Sequence, residues 1–191
     1  MCISVLMESL RILFLSNLLI EKGVLVLLDA LKILKDQSCS FVCSFVGAET
    51  AEISADRLRE EIQARNIQDV VSYKGKQFGK EKETCIEQAD LLVFPTFYQN
   101  ECFPLVLLEA MQHHLPIVTT DEGGIPDIVK DGENGLICKK NNPGDLAKKI
   151  QCLISDPSLR LQMGKNGYMK FRSHFTLDAF EHRLTTIFKS L

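Results

Sequence analysis

Two glutamates that bracket seven residues, Glu101 and Glu109, stand out in the stretch NECFPLVLLEAMQHHL at residues 100–115. Each carboxylate offers two acceptor oxygens, so a pair facing one cleft makes a hydrogen-bonding site for a ligand. Pro104 fits the first helical turn, where a missing N–H is harmless, and residues 105–114 have the composition and spacing of a helix. Glu101 then lies on the preceding loop and Glu109 about one and a half turns into the helix. On a helical wheel Val106, Leu107, Ala110, Met111 and His114 gather on one side, and Glu109, Gln112 and His113 on the other. Both glutamates can therefore face one cleft. A glutamate on a polar helix face is more often simply solvated, but the neighbourhood argues otherwise. VFPTF ends an apolar strand just upstream and GGIPDIVKDGENGLI follows the next strand, where open α/β sheets bind ligands.

The elements that must position these side chains follow from hydrophobic periodicity. Residues 11–16 (RILFLS) form a short apolar strand, and Val24, Leu27, Leu28, Leu31 and Leu34 then recur at helical spacing. Lys22 and Gly23 sit at the junction, where the residues alone fit equally an anion site of free backbone N–H groups with a basic side chain and a solvated lysine at a helix start. Strands are expected at 39–46, 70–73, 91–94, 117–120 and 136–138, with helices at 49–65, 81–88 and 125–130 between them. From Pro143 onward the pattern is helical, broken at Asp156-Pro157 and near 174–176 into three helices. Six strands alternating with helices give an α/β fold, a doubly wound parallel sheet of about six strands with C-terminal helices. Residues 1–10 read as linker.

Composition narrows the function. A net charge of −3 argues against a sequence-wide basic field for nucleic acid. Seven cysteines without a CxxC pair suit buried reduced thiols and a cytoplasmic location rather than zinc or disulfides. The apolar N-terminus is too short for a signal peptide or a membrane span. GKQFGKE at 75–81 has three rather than four residues between its glycines and no Ser or Thr after Lys80, so it is a tight turn and not a P-loop. No GxGxxG follows the first strand and no GxSxG occurs, which discounts a nicotinamide enzyme and a serine hydrolase.

The sequence resembles the C-terminal half of retaining glycosyltransferases of the GT-B fold, the family called group 1 or family 4. The motifs that carry the resemblance are KG at Lys22-Gly23, FVG at 45–47, FPTFYQNECFPLVLLEAM with its Glu-x7-Glu, and TTDEGGIPDIVKDGENGLI at 119–137. It implies that residues 11–191 form one Rossmann-like domain that binds a nucleotide-diphosphate sugar (UDP or GDP). Catalysis would be hexosyltransferase-like and independent of metal. By the same match Glu109 holds the ribose hydroxyls. Glu101, the catalytic carboxylate, contacts the transferred sugar and supports charge developing at its anomeric carbon.

The resemblance further implies that Lys22 neutralises the diphosphate. Phe103, Leu105 and Val106 offer N–H groups at a helix N-terminus, Gly123 and Gly124 let the backbone approach the ligand, and the turn at Gly75 and Lys76 lies near the base. Ser16 and Asn17 depart from the pattern, standing where relatives carry a glycine and an arginine, and asparagine brings no charge to the phosphates. Pro104 stands where many relatives have glycine and removes one N–H donor. His113-His114 point about 100° apart on a helix and do not share a tetrahedral ion. A non-catalytic nucleotide-sugar-binding module is the alternative, either decayed or dependent on a separate acceptor-domain polypeptide; a nucleotide-sugar epimerase fits the motifs less well.

The partners implied are the nucleotide sugar and a missing N-terminal acceptor-binding domain, through which the protein would associate with the inner membrane surface. The apolar stripe Leu177, Phe180, Leu184, Ile187, Phe188 and Leu191 is more than a peripheral helix needs, so it is expected to seek cover, through self-association or a separate acceptor-domain polypeptide. The lone chain is expected to transfer no sugar.

Overall fold

Six short apolar segments pair side by side, all parallel, in the order β3-β2-β1-β4-β5-β6. The strands of this computed structural model, which describes residues 9–189, are β1 (Leu10–Leu15), β2 (Phe41–Val46), β3 (Val71–Tyr73), β4 (Leu91–Phe94), β5 (Ile117–Thr119) and β6 (Gly135–Ile137). Between them run α1 (Val24–Asp36), α2 (Ala55–Ala64), α3 (Gly79–Glu87), α4 (Leu105–Gln112) and α5 (Ile125–Ile128), and α6 (Pro143–Ser155), α7 (Pro157–His174) and α8 (Leu177–Lys189) complete the chain. This is the expected doubly wound α/β sheet with C-terminal helices.

Successive side chains of a strand point to opposite faces, and the two faces feed two cores. Ile12 and Phe14 of β1, with Leu91 and Val93 of β4, join Leu27, Leu31 and Ile150 of α1 and α6 on one side. Leu13, Leu15, Leu92 and Phe94 join Leu107, Ala110 and Met111 of α4 on the other. Both faces are covered, which is why β4 reads as the unbroken apolar run LLVF and every residue in it is buried. Burial also pushes the thiol of Cys138 up to about 12 and that of Cys43 higher still, so both stay protonated. Cys102 and Cys152, by contrast, are exposed, which corrects the expectation of uniformly buried thiols, and Cys2 lies outside the described residues.

Some boundaries move, each for a local reason. Leu10 is buried and opens β1, so the strand takes in the last residue read as linker; residues 1–8 lie outside the described residues. α2 starts at Ala55 rather than 49 because the Ser54 hydroxyl caps it at Arg57 N and Thr50 ties the preceding loop to Leu18 O at 2.7 Å. α4 ends at Gln112, and His114, expected on its apolar face, is exposed at φ 57° with its ring stacked 4.0 Å from Tyr168. Pro104 is the N-cap in an extended conformation, one residue before the turn where it was expected.

Strand order reverses between β1 and β4, so the loops after these two strands flank a crevice at the carboxyl edge of the sheet. Among the described residues no helix is long and apolar enough to cross a membrane.

Candidate functional site

The loop after β1 is held close to its neighbours by two glycines. Gly47 abuts Ser16 so tightly that a Cβ on it would lie 1.7 Å from Ser16 O, and Ser16 N donates to Val46 O. A single 3-10 turn, Ile20–Lys22, then leads to Gly23 at φ 83°, where a Cβ would lie 2.3 Å from Pro95 O. Only glycine permits that approach in a left-handed conformation. It brings the loop after β1 against the loop after β4.

Lys22 is delivered into the crevice as a result. Its Nζ lies 2.5 Å from Glu101 Oε2, 4.5 Å from the centre of the Tyr98 ring and 5.5 Å from that of Phe94. Glu101 is fixed from its own loop, with its N–H donating to Tyr98 O at 2.9 Å and the Thr96 hydroxyl 3.2 Å from Oε2. The two side chains are only 14% and 9% exposed. Two charges this enclosed are tolerable because each neutralises the other; removing one would leave its partner buried and unpaired.

Gly123 and Gly124, expected to bring backbone near a ligand, approach the backbone beneath Glu101. A Cβ on Gly123 would lie 1.8 Å from Glu101 O, one on Gly124 would lie 2.0 Å from Cys102 O, and Gly124 N donates to Glu101 O. They seat the acidic loop on the start of α5.

Glu109 has a different surrounding. Its Oε1 is 2.6 Å from Lys82 Nζ on α3, and the two line a cleft of about 240 Å³ with Gly79, Glu83, Gln112 and His113. Glu101 does not line that cleft: each glutamate meets its own lysine, Glu101 with Lys22 at the crevice and Glu109 with Lys82 between α3 and α4.

At the start of α4 no side-chain cap bond serves the first N–H groups, and Phe103 and Leu105 are exposed while Val106 is half-buried. The free N–H groups of Leu105 and Val106 and the positive end of the helix dipole make this an anion-accepting end. Asn17 is exposed beside half-buried Ser16. Gly75, at φ 72°, gives its carbonyl to Gly47 N at 3.0 Å, and Lys76 lies over the Phe78 ring at 4.5 Å.

Lys82, Thr96 and Tyr98 were missed as site residues. Thr96 and Tyr98 were legible as residues leaving the carboxyl end of β4, but Lys82 sits in a polar helix with nothing local to mark it. Among the described residues no group of three His, Cys, Asp or Glu side chains could hold a metal ion.

Residues 5–170 match the profile of the family described as glycosyl transferases group 1. An uncharacterised glycosyltransferase of Methanocaldococcus jannaschii is 33% identical over 155 residues, which are 81% of this chain and 41% of that protein. The α-D-kanosaminyltransferase of Streptomyces kanamyceticus is 25% identical over 94% of this chain and 45% of its own length. This chain thus spans less than half of these relatives. Among solved structures, sucrose-phosphate synthase from Thermosynechococcus elongatus superposes with a TM-score of 0.80 at 26% identity, over 96% of this chain and 45% of that one. Anabaena HepE, solved with UDP, superposes at 0.85 with 22% identity, over 96% of this chain and 50% of that one. The family match runs through all six strands, Lys22 and both glutamates, and the chain belongs to the group 1 glycosyl transferases as a C-terminal domain of GT-B architecture.

Proposed function

We propose that this chain is the donor-binding domain of a retaining glycosyltransferase that uses a nucleotide-diphosphate sugar. The observation that carries the reading is the largely enclosed Lys22–Glu101 pair at the point where strand order reverses, with Glu101 on the loop that leads into the uncapped start of α4. A cation and a helix N-terminus at one crevice suit a diphosphate, and a carboxylate beside them suits a group that bears hydroxyls and develops positive charge. In the transfer, the bond from the anomeric carbon to the diphosphate breaks and its electron pair leaves on the diphosphate, where Lys22 offsets the charge, while an acceptor hydroxyl oxygen forms the new bond to the anomeric carbon and its proton passes to the departing phosphate oxygen. Glu101 faces the sugar. Glu109 takes the ribose hydroxyls, and the Gly75–Lys76 turn borders the base. Asn17 contributes hydrogen bonds but no charge, so affinity is modest. This phosphate binding relies on Lys22 and N–H groups and needs no metal.

Calorimetric titration with UDP, GDP, UDP-glucose and GDP-mannose tests the reading, with and without EDTA. Binding that survives EDTA is expected; binding abolished by EDTA, or none with any of the four, refutes it. One observation favours the binding-module alternative, namely Asn17 in place of the arginine that the resemblance leads one to expect. The relatives' additional length would supply the acceptor half, in one polypeptide or two. Sugar transfer that appears only on mixing with an acceptor-domain polypeptide distinguishes a dependent half from a decayed one.

A further inference from the structure

The enclosure of Lys22 and Glu101 bears on how the site tells its donor from what remains after transfer. Resting on the donor-binding reading above, we propose that Glu101 is a specificity-determining residue that favours the nucleotide sugar over the bare nucleoside diphosphate, by competing with the diphosphate for Lys22.

Glu101 and a diphosphate have rival claims on one ammonium. Oε2 is 2.5 Å from Nζ, and the Tyr98 and Phe94 rings lie 4.5 and 5.5 Å from the same ammonium. A diphosphate reaching Lys22 has to share that ammonium and sets its own negative charge beside the carboxylate, so the two anions compete for Lys22 and the Glu101 contact is weakened. The carboxylate then needs a replacement partner, because the Thr96 hydroxyl, which is also within 3.2 Å of Glu21 O, has a single hydrogen to give. A sugar attached to the diphosphate supplies hydroxyl donors, so Glu101 exchanges Lys22 for the sugar and remains satisfied. A bare diphosphate supplies none. Glu101 is then either left buried without a cation or drawn back onto Lys22, in both cases at the expense of the bound diphosphate. The same carboxylate that receives the sugar thus weakens the hold on the product and speeds its departure, a step that often limits turnover.

Glu101→Gln tests this, because glutamine keeps the size and a hydrogen-bonding end while removing the charge. UDP and GDP, each with its sugar conjugate UDP-glucose or GDP-mannose, are titrated into the 191-residue chain and the variant by calorimetry. Thermal unfolding establishes that the variant is folded, and Glu101→Ala serves as a second variant if the glutamine form is not. The bare diphosphate that binds the parent chain should bind the variant about tenfold more tightly, while its sugar conjugate gains less, so that the preference for the conjugate falls. A merely structural role for Glu101 would weaken both ligands together. Equal or weaker binding of the bare diphosphate, with the parent chain still binding it, overturns the proposal and leaves the donor-binding reading intact. Failure of both chains to bind any of the four ligands overturns both.

Discussion

Glu109 and Lys82 show how differently two acidic residues of one motif are treated. Their ion pair is about one-third exposed, so it adds little to stability, and its effect is to hold an ionised carboxylate at the mouth of the α3–α4 cleft. Glu109→Gln should therefore leave the melting temperature nearly unchanged and weaken nucleoside diphosphate binding by roughly 1.5–3 kcal/mol, the range for hydrogen bonds to charged groups. Unchanged affinity in calorimetry would make Glu109 a solvated helix residue. Gly123 should respond in the opposite manner. At φ 51°, with Glu101 O 1.8 Å from where its Cβ would sit, Gly123→Ala forces the acidic loop away. We expect a loss of roughly 2 kcal/mol or more in chemical denaturation, the scale of backbone strain plus overpacking, together with weakened donor binding.

Between elements, a titratable ion pair ties the start of β1 to the residue before β4, at the edge of the sheet opposite the crevice. Arg11 donates from its backbone N, Nε and a terminal guanidinium nitrogen to the two oxygens of Asp90, at 2.9, 3.0 and 2.7 Å. Burial alone would raise the Asp90 carboxyl, but the hydrogen bonds and charge of Arg11 outweigh it and hold the group below the usual carboxylate range. A depressed folded value means that the contribution is fully present above the unfolded value and disappears as pH falls through the folded one. Asp90→Asn should therefore cost about 1 kcal/mol near neutrality, and denaturation curves of parent and variant should converge as pH drops below about 4. Element order was legible because each strand is an apolar run of its own length, β4 most clearly, ended by Pro95. The end of α4 was not, since His113 and His114 continue its polar and apolar spacing while the backbone turns away to meet Tyr168. The partners of Lys82 and of the paired glycines were hidden for a related reason. Their meaning lies in which distant backbone or carboxylate the fold sets opposite them, and no local pattern encodes that.

At the scale of the whole molecule, α8 carries more exposed large apolar side chains than any other element among the described residues. None of its residues is buried, and Leu177, Phe180, Leu184, Ile187 and Phe188 all face outward. An apolar stripe of this kind favours association, so sedimentation velocity should show larger species as concentration rises. Phe180→Glu combined with Phe188→Glu should restore a single monomeric boundary; association unaffected by both would place the contact elsewhere. On the donor-half reading, the 191-residue chain alone should also give no efficient multiple-turnover transfer from a radiolabelled nucleotide sugar, because the surface that aligns acceptor with donor would belong to the additional length its relatives carry.

Phe103 connects that outer stripe to the chemistry. It lies two residues after Glu101 and one before the cap of α4, and its ring meets Phe175 edge-on at 6.0 Å. There it forms part of the wall of an apolar groove of about 390 Å³ with Leu108, Leu177 and Phe180. A cover seated in this groove would bear on the ring of a residue that the donor-binding reading sets beside the phosphates. By reciprocity, whatever factor a seated cover adds to ligand affinity, the ligand must add to the affinity for the cover.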